Sequence, residues 1–128
     1  MTRQVPKPTR ADLSILIPRF REAGDLTLDL LHRDGRVGDC WLGLHPREFA
    51  LLWRLAEQPG DVVSKAQLLR DVWRISHEPK TNSPAVHVAR IRTRLKSHGL
   101  NRILATDRSG GYYLDVPNAS GVLTLDDR

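Results

Sequence analysis

The chain has 128 residues, 40% of them hydrophobic and 27% charged, with a formal net charge of +5. Only 5% are aromatic, so one modest domain with a core of Leu, Val and Ile is the expectation. A lone cysteine, Cys40, excludes an intrachain disulfide framework and fits a reducing cytoplasm. No apolar run approaches the roughly 18 residues that span a bilayer, so no membrane partner is expected.

The charge is unevenly spread. Residues 79–106 contain no Asp or Glu but hold Lys80, Arg90, Arg92, Arg94, Lys96 and Arg102. The rest of the chain carries 14 Lys and Arg against 15 acids. A local basic excess of this kind suits a contact surface for a polyanion.

In chain order, residues 1–24 read as an N-terminal tail, broken by Pro6, Pro8 and Pro18. Within it, residues 13–17 suit a short strand. Residues 26–31 alternate apolar and polar, as a half-buried strand does. Asp34 and Gly35 then supply the positive φ of a tight hairpin turn. Strands near residues 36–38 and 41–44 complete a small antiparallel sheet, with Cys40 half-buried and unreactive.

Pro46 opens a first helix carrying Phe49, Leu52 and Ala56 at helical spacing, closed by Gln58, Pro59 and Gly60. Ser64 and Gln67 form a capping box for a second helix running to about Trp73, which buries Leu68, Leu69 and Val72. Residues 74–82 are polar and read as a loop. Ser83 as N-cap and Pro84 at the first position start a third helix, which runs to about His98 and stops at Gly99. Two short strands at 103–106 and 112–114 flank a hairpin loop at 107–111. The domain thus occupies 25–117, and 118–128 form a C-terminal tail.

On a wheel of 100° per residue, Pro84, Val88, Ile91 and Leu95 of the third helix share one narrow stripe. Asn82, Val86, Ala89, Arg90 and Thr93 point the other way. His87 and Arg94 flank one side, and Ala85, Arg92 and Lys96 the other. An α-helix fits the major groove of duplex DNA, basic margins reach the phosphates, and small central residues permit close approach. Two capped helices, a basic third helix and a hairpin tipped by Arg108 make the order of a winged helix-turn-helix. An arginine at the wing tip can enter a minor groove. A second class of function stays open: the strip of Ala85, Val86 and Ala89 is apolar enough to dock on another protein.

Enzyme chemistry finds no support. His32, His45, His77, His87 and His98 form no ligand spacing with Cys40 or with a carboxylate cluster. No catalytic residue, metal or cofactor is expected.

Several runs carry a resemblance as well as a pattern. They are LHPREFALL at 44–52, GDVVSKAQLLRDVW at 60–73, VHV at 86–88, then Ile91, Arg92 and Leu95, and TDRSGGYYL at 106–114. Over about residues 25–115 the chain resembles the OmpR/PhoB-type winged-helix effector domains of bacterial response regulators. The resemblance implies an α+β fold with a four-stranded N-terminal sheet, three helices and a C-terminal β-hairpin wing. It also implies sequence-directed binding of double-stranded DNA in transcription regulation, commonly at direct repeats and with two copies paired on the DNA.

Position by position, the resemblance places His87 and Arg90 on phosphates, Arg92 at base edges and Arg108 in the wing. Asn82 stands where the family often has a basic phosphate contact. Ala85 and Ala89 put methyl groups where many members carry an acidic and a basic side chain. Methyls can touch thymine, so either an A·T-rich preference or low specificity follows. The expected DNA-facing set is Asn82, Ser83, Ala85, Val86, His87, Ala89, Arg90, Arg92, Thr93, Arg94 and Arg108. His45 replaces the family's usual Thr or Ser cap. The loop at 74–82 matches the family's polymerase-contacting loop, which implies RNA polymerase as a second partner. The 24 residues before the first expected strand are too few for a receiver domain. The expectation is a stand-alone regulator, nucleoid-associated when bound, and not switched by receiver phosphorylation.

Overall fold

The structure, a computed structural model, describes residues 17–75 and 83–116. The strand expected at 13–17, most of the loop at 74–82, Asn82 and the C-terminal tail therefore lie largely or wholly outside the described residues. Four antiparallel strands come first: β1 (Phe20–Ala23), β2 (Leu26–Asp29), β3 (Asp34–Val37) and β4 (Cys40–Trp41), ordered β1-β2-β3-β4. Helices α1 (Pro46–Leu55), α2 (Lys65–Asp71) and α3 (Ser83–Lys96) follow. A 3-10 turn at Asn101–Ile103 leads into the hairpin of β5 (Leu104–Thr106) and β6 (Tyr112–Leu114). This is a winged helix-turn-helix.

The sheet differs from expectation in four places. First, β1 lies inside the segment read as a tail, with Phe20 opposite Asp29 and Ala23 opposite Leu26. Long-range contacts hold it. Ala23 is buried, and Arg19 forks onto the Asp29 carboxylate at 3.1 and 3.2 Å. Arg21 donates to the Trp53 carbonyl at 2.8 Å and lies 4.2 Å over the Trp53 ring.

Second, β2 stops at Asp29 and does not reach residue 31. The Asp29 carboxylate accepts from the Leu31 amide at 2.9 Å and from His32 Nδ1 at 2.7 Å, which folds the chain back. The Arg19 guanidinium, aided by His32 and these amides, holds that carboxyl well below the usual range, against the opposing pull of burial.

Third, Asp34 and Gly35 are not the hairpin turn. They open β3, and the left-handed residue is Arg33 at φ 53°. Gly35 is needed for close packing, since a Cβ there would sit 3.1–3.3 Å from the side chains of Leu28, Leu26 and Leu42. Asp34 accepts from the Gly43 and Leu44 amides at 3.1 and 2.9 Å and so ties the hairpin to the run entering α1.

Fourth, β4 is two residues long. The strand expected at 41–44 is broken by Gly43 at φ 74°, which sends Leu42 and Leu44 into the core. Cys40, expected half-buried, is exposed because this short strand is the uncovered edge of the sheet.

The helices follow their sequence signals. Glu48 reaches back to the His45 amide at 3.1 Å at the start of α1. Ser64 and Gln67 complete the reciprocal capping box of α2, at 3.0 and 2.9 Å. The core gathers Leu26 and Leu28 of β2, and Phe49, Leu51, Leu52 and Leu55 of α1. Leu68 of α2, the inner edge of α3, and Leu104 and Leu114 of the hairpin complete it. Each fully buried side chain of this size is worth about 1.5–3 kcal/mol. That burial fixes which face of α3 remains outside.

Candidate nucleic-acid interface

Pro84, Val88, Ile91 and Leu95 are the buried residues of α3. The opposite face is therefore presented to solvent: Val86 is 42% exposed, and Ala89, Arg90 and Thr93 are exposed beside it. Ala85 is half-buried. The helix begins at Ser83, which is therefore its first residue and not the expected N-cap, and Pro84 stands second. The Thr93 hydroxyl donates to the Ala89 carbonyl at 3.1 Å. The helix ends at Lys96, and Gly99 at φ 73° turns the chain so that the Leu100 amide returns to the Leu95 carbonyl at 3.0 Å.

The flanking cations divide into two kinds. Arg92 and Arg94 are committed within the molecule. Arg92 donates through Nε to the Leu104 carbonyl at 2.9 Å and through Nη2 to Thr106 Oγ1 at 2.8 Å. Arg94 Nε donates to Glu48 Oε1 at 2.8 Å. Glu48 is fully buried, and that same oxygen also accepts from the His45 amide. Arg90 and Lys96, in contrast, are exposed with no hydrogen-bond or ion-pair partner among the described residues, as is Arg102 beyond the helix.

His87 lies between these extremes. Its Nδ1 is 2.7 Å from the Ser83 carbonyl, an acceptor, so Nδ1 carries the proton and Nε2 is the nitrogen left over. The ring meets Trp73 edge-on at 5.1 Å.

The wing is a built turn. The Asp107 amide donates to the Gly111 carbonyl at 2.8 Å, and the Gly110 amide to the Asp107 carbonyl at 2.9 Å. The Asp107 carboxylate accepts from the Ser109 amide at 2.9 Å. The Ser109 hydroxyl and amide hold that carboxyl below its ordinary range. Arg108 sits exposed at the tip. At the root, Val63 and Tyr112 exchange backbone hydrogen bonds at 2.8 and 3.0 Å. Gly111 permits this approach, since a Cβ there would fall 2.6 Å from the Val63 carbonyl oxygen.

Sequence reasoning placed the exposed strip and Arg108 but did not foresee the partners of Arg92 and Arg94. It also left Lys96 and Arg102 out of the DNA-facing set, although both lie in the acid-free window. Among the described residues no group of three His, Cys, Asp or Glu could hold a metal ion. No helix among them is long and apolar enough to cross a membrane.

Comparison with known proteins gives one answer. The family model described as "Transcriptional regulatory protein, C terminal" matches residues 39–114. The chain is 34% identical over 90 residues to the response regulator MprA of Mycobacterium leprae, covering 70% of this chain and 40% of that protein. It is 35% identical over 97 residues to the transcriptional activator IrlR of Burkholderia pseudomallei, covering 75% of this chain and 42% of that one. The chain thus spans less than half the length of these relatives.

Among solved structures, the DNA-binding domain of CpxR from E. coli superposes with a TM-score of 0.67 at 26% identity, covering 76% of this chain and 96% of that one. The DNA-binding domain of RstA from Klebsiella pneumoniae, solved with the RstA box, shares the fold with a TM-score of 0.65 at 24% identity, over 76% and 97% of the two chains. Family and fold are those of DNA-binding regulators, which are not enzymes. The chain belongs to the family of transcriptional regulatory protein C-terminal domains, the OmpR/PhoB-type winged-helix DNA-binding domains of response regulators.

Proposed function

We propose that the chain regulates transcription by laying α3 in the major groove of duplex DNA and the wing tip in a neighbouring minor groove. The observation that carries this reading is the outer face of α3, small at its centre and bordered by the exposed Arg90, which has no partner among the described residues, opposite a fully buried edge. Val86, Ala89 and Thr93 face base edges, with Ala85 beside them. Arg90 and His87 take phosphates, with the start of α3 at Ser83 close to the backbone. Lys96 and Arg102 add positive potential, and Arg108 enters the minor groove, where negative potential is strongest in A·T tracts. The complex of RstA with its box supports duplex DNA as the partner. Two copies bind side by side on repeated half-sites, and the loop at 74–82 is the face offered to RNA polymerase.

Salt dependence tests the reading. About five phosphate contacts predict that affinity falls by about 10²-fold or more between roughly 50 and 200 mM salt. Val86 favours a second reading, docking on another protein, because its branched apolar side chain, 42% exposed, joins Ala85 and Ala89 in an apolar strip on α3. Affinity indifferent to salt, or no duplex binding at all, would favour docking and overturn the first.

A further inference from the structure

We infer that Arg92 is a positioning residue that sets the wing relative to α3, so that helix and wing meet DNA as one unit. The inference rests on the duplex-binding reading above. Arg92 stands on α3, and its guanidinium crosses to β5, reaching the Leu104 carbonyl at 2.9 Å and Thr106 Oγ1 at 2.8 Å. These acceptors, one a backbone carbonyl and the other a side-chain hydroxyl, belong to residues two apart on one strand. A planar fork of N–H groups spans two such acceptors at once, and an ammonium does not.

The wing needs such a tie. Its strands are three residues each, and a hairpin that short does not hold its own orientation. Its second strand is fixed at Tyr112 by the paired bonds to Val63. Its first strand is anchored in the core at Leu104, and Arg92 ties it to α3 from there to Thr106. Only Asp107 separates Thr106 from Arg108. The direction of the wing arginine is thus governed by a side chain of α3.

The test is a double-mutant cycle with the full chain and a duplex of about 30 base pairs, roughly three helical turns, with A·T-rich flanks. Arg92→Gln and Arg108→Ala are each expected to weaken binding several-fold. The double variant should bind within about twofold of Arg108→Ala, because the first change acts through the second residue. Arg92→Lys, which keeps the charge but loses the fork, should bind as weakly as Arg92→Gln. Thr106→Val, which alters no charge, should weaken binding in the wild-type background and not in Arg108→Ala. In free protein, Arg92→Gln should speed amide exchange across residues 107–111 and leave α1 unchanged.

Multiplicative losses in the double variant would overturn the inference, as would recovery of wild-type affinity by Arg92→Lys or unaltered exchange in the wing. Each would make Arg92 a direct contact or a bystander while leaving duplex binding intact. A wild-type chain that fails to bind the duplex removes the DNA reading itself, a separate result.

Discussion

The N-terminal sheet and the α3–wing half both carry many arginines and use them differently. In the sheet they are consumed by the fold. Arg19 grips Asp29, Arg21 grips the Trp53 carbonyl, Arg33 lies 5.3 Å from the Phe49 ring centroid, and Arg36 donates to the Gly38 carbonyl at 3.0 Å. In the other half Arg90, Lys96, Arg102 and Arg108 are exposed and have no such partner among the described residues. Composition alone does not separate these uses. An arginine with an internal acceptor acts as a structural strut, and one without an acceptor remains available to a polyanion. Arg92 and Arg94 are the exceptions inside α3, since they lie in the acid-free stretch of sequence but are tied inward.

This division can be broken or sharpened by substitution. The largest effect should come from Arg94→Ala, which leaves the fully buried Glu48 carboxylate without its cation. A loss of about 3 kcal/mol in urea unfolding is expected. A loss below about 0.5 kcal/mol would make Arg94 as available as Arg90.

The next effect is expressed in pH. The Asp29 carboxyl is lowered in the folded chain from an ordinary value of 3.8, chiefly by Arg19. A depressed carboxyl contributes stability that is present above its unfolded value and lost as pH falls through its folded one. The urea midpoint should therefore hold at neutral pH and decline below about pH 4. Asp29→Asn should start lower and decline less steeply, and an unchanged acid limb would contradict the strut.

Arg90→Ala should leave stability within about 0.5 kcal/mol. It should weaken duplex binding by about 1 kcal/mol or more and lower the salt slope by about 0.9. Titrations at several salt concentrations check this. The smallest effect is that of Arg108→Ala, seen mainly on sites with A·T-rich flanks. Equal loss on G·C-rich flanks would reduce the wing tip to a plain phosphate contact.

Much of the fold was legible because its signals are local. Pro46, the Ser64–Gln67 box, Pro84 and Gly99 mark helix ends within a few residues of themselves, and the stripe of α3 is visible on a wheel. What escaped depends on distant partners. β1 shows one buried apolar residue, Ala23, and is kept in place by Asp29 and Trp53. Asp34 and Gly35 look like a turn, but the Leu28 side chain opposite makes Gly35 a packing residue. In the interface, the exposed strip follows from periodicity. The acceptors that take Arg92 and Arg94 lie 12, 14 and 46 residues away. Glu48 gave half a signal, as the third residue of a capping pattern after His45. Its pairing with α3 could be seen only in three dimensions.

The most direct test of this account follows backbone amide resonances of the full chain as a duplex is added at physiological salt. Shifts confined to α3 and residues 107–111, with β1 to β4 unmoved, are the predicted result. Shifts centred on the N-terminal sheet, with α3 silent, would contradict it.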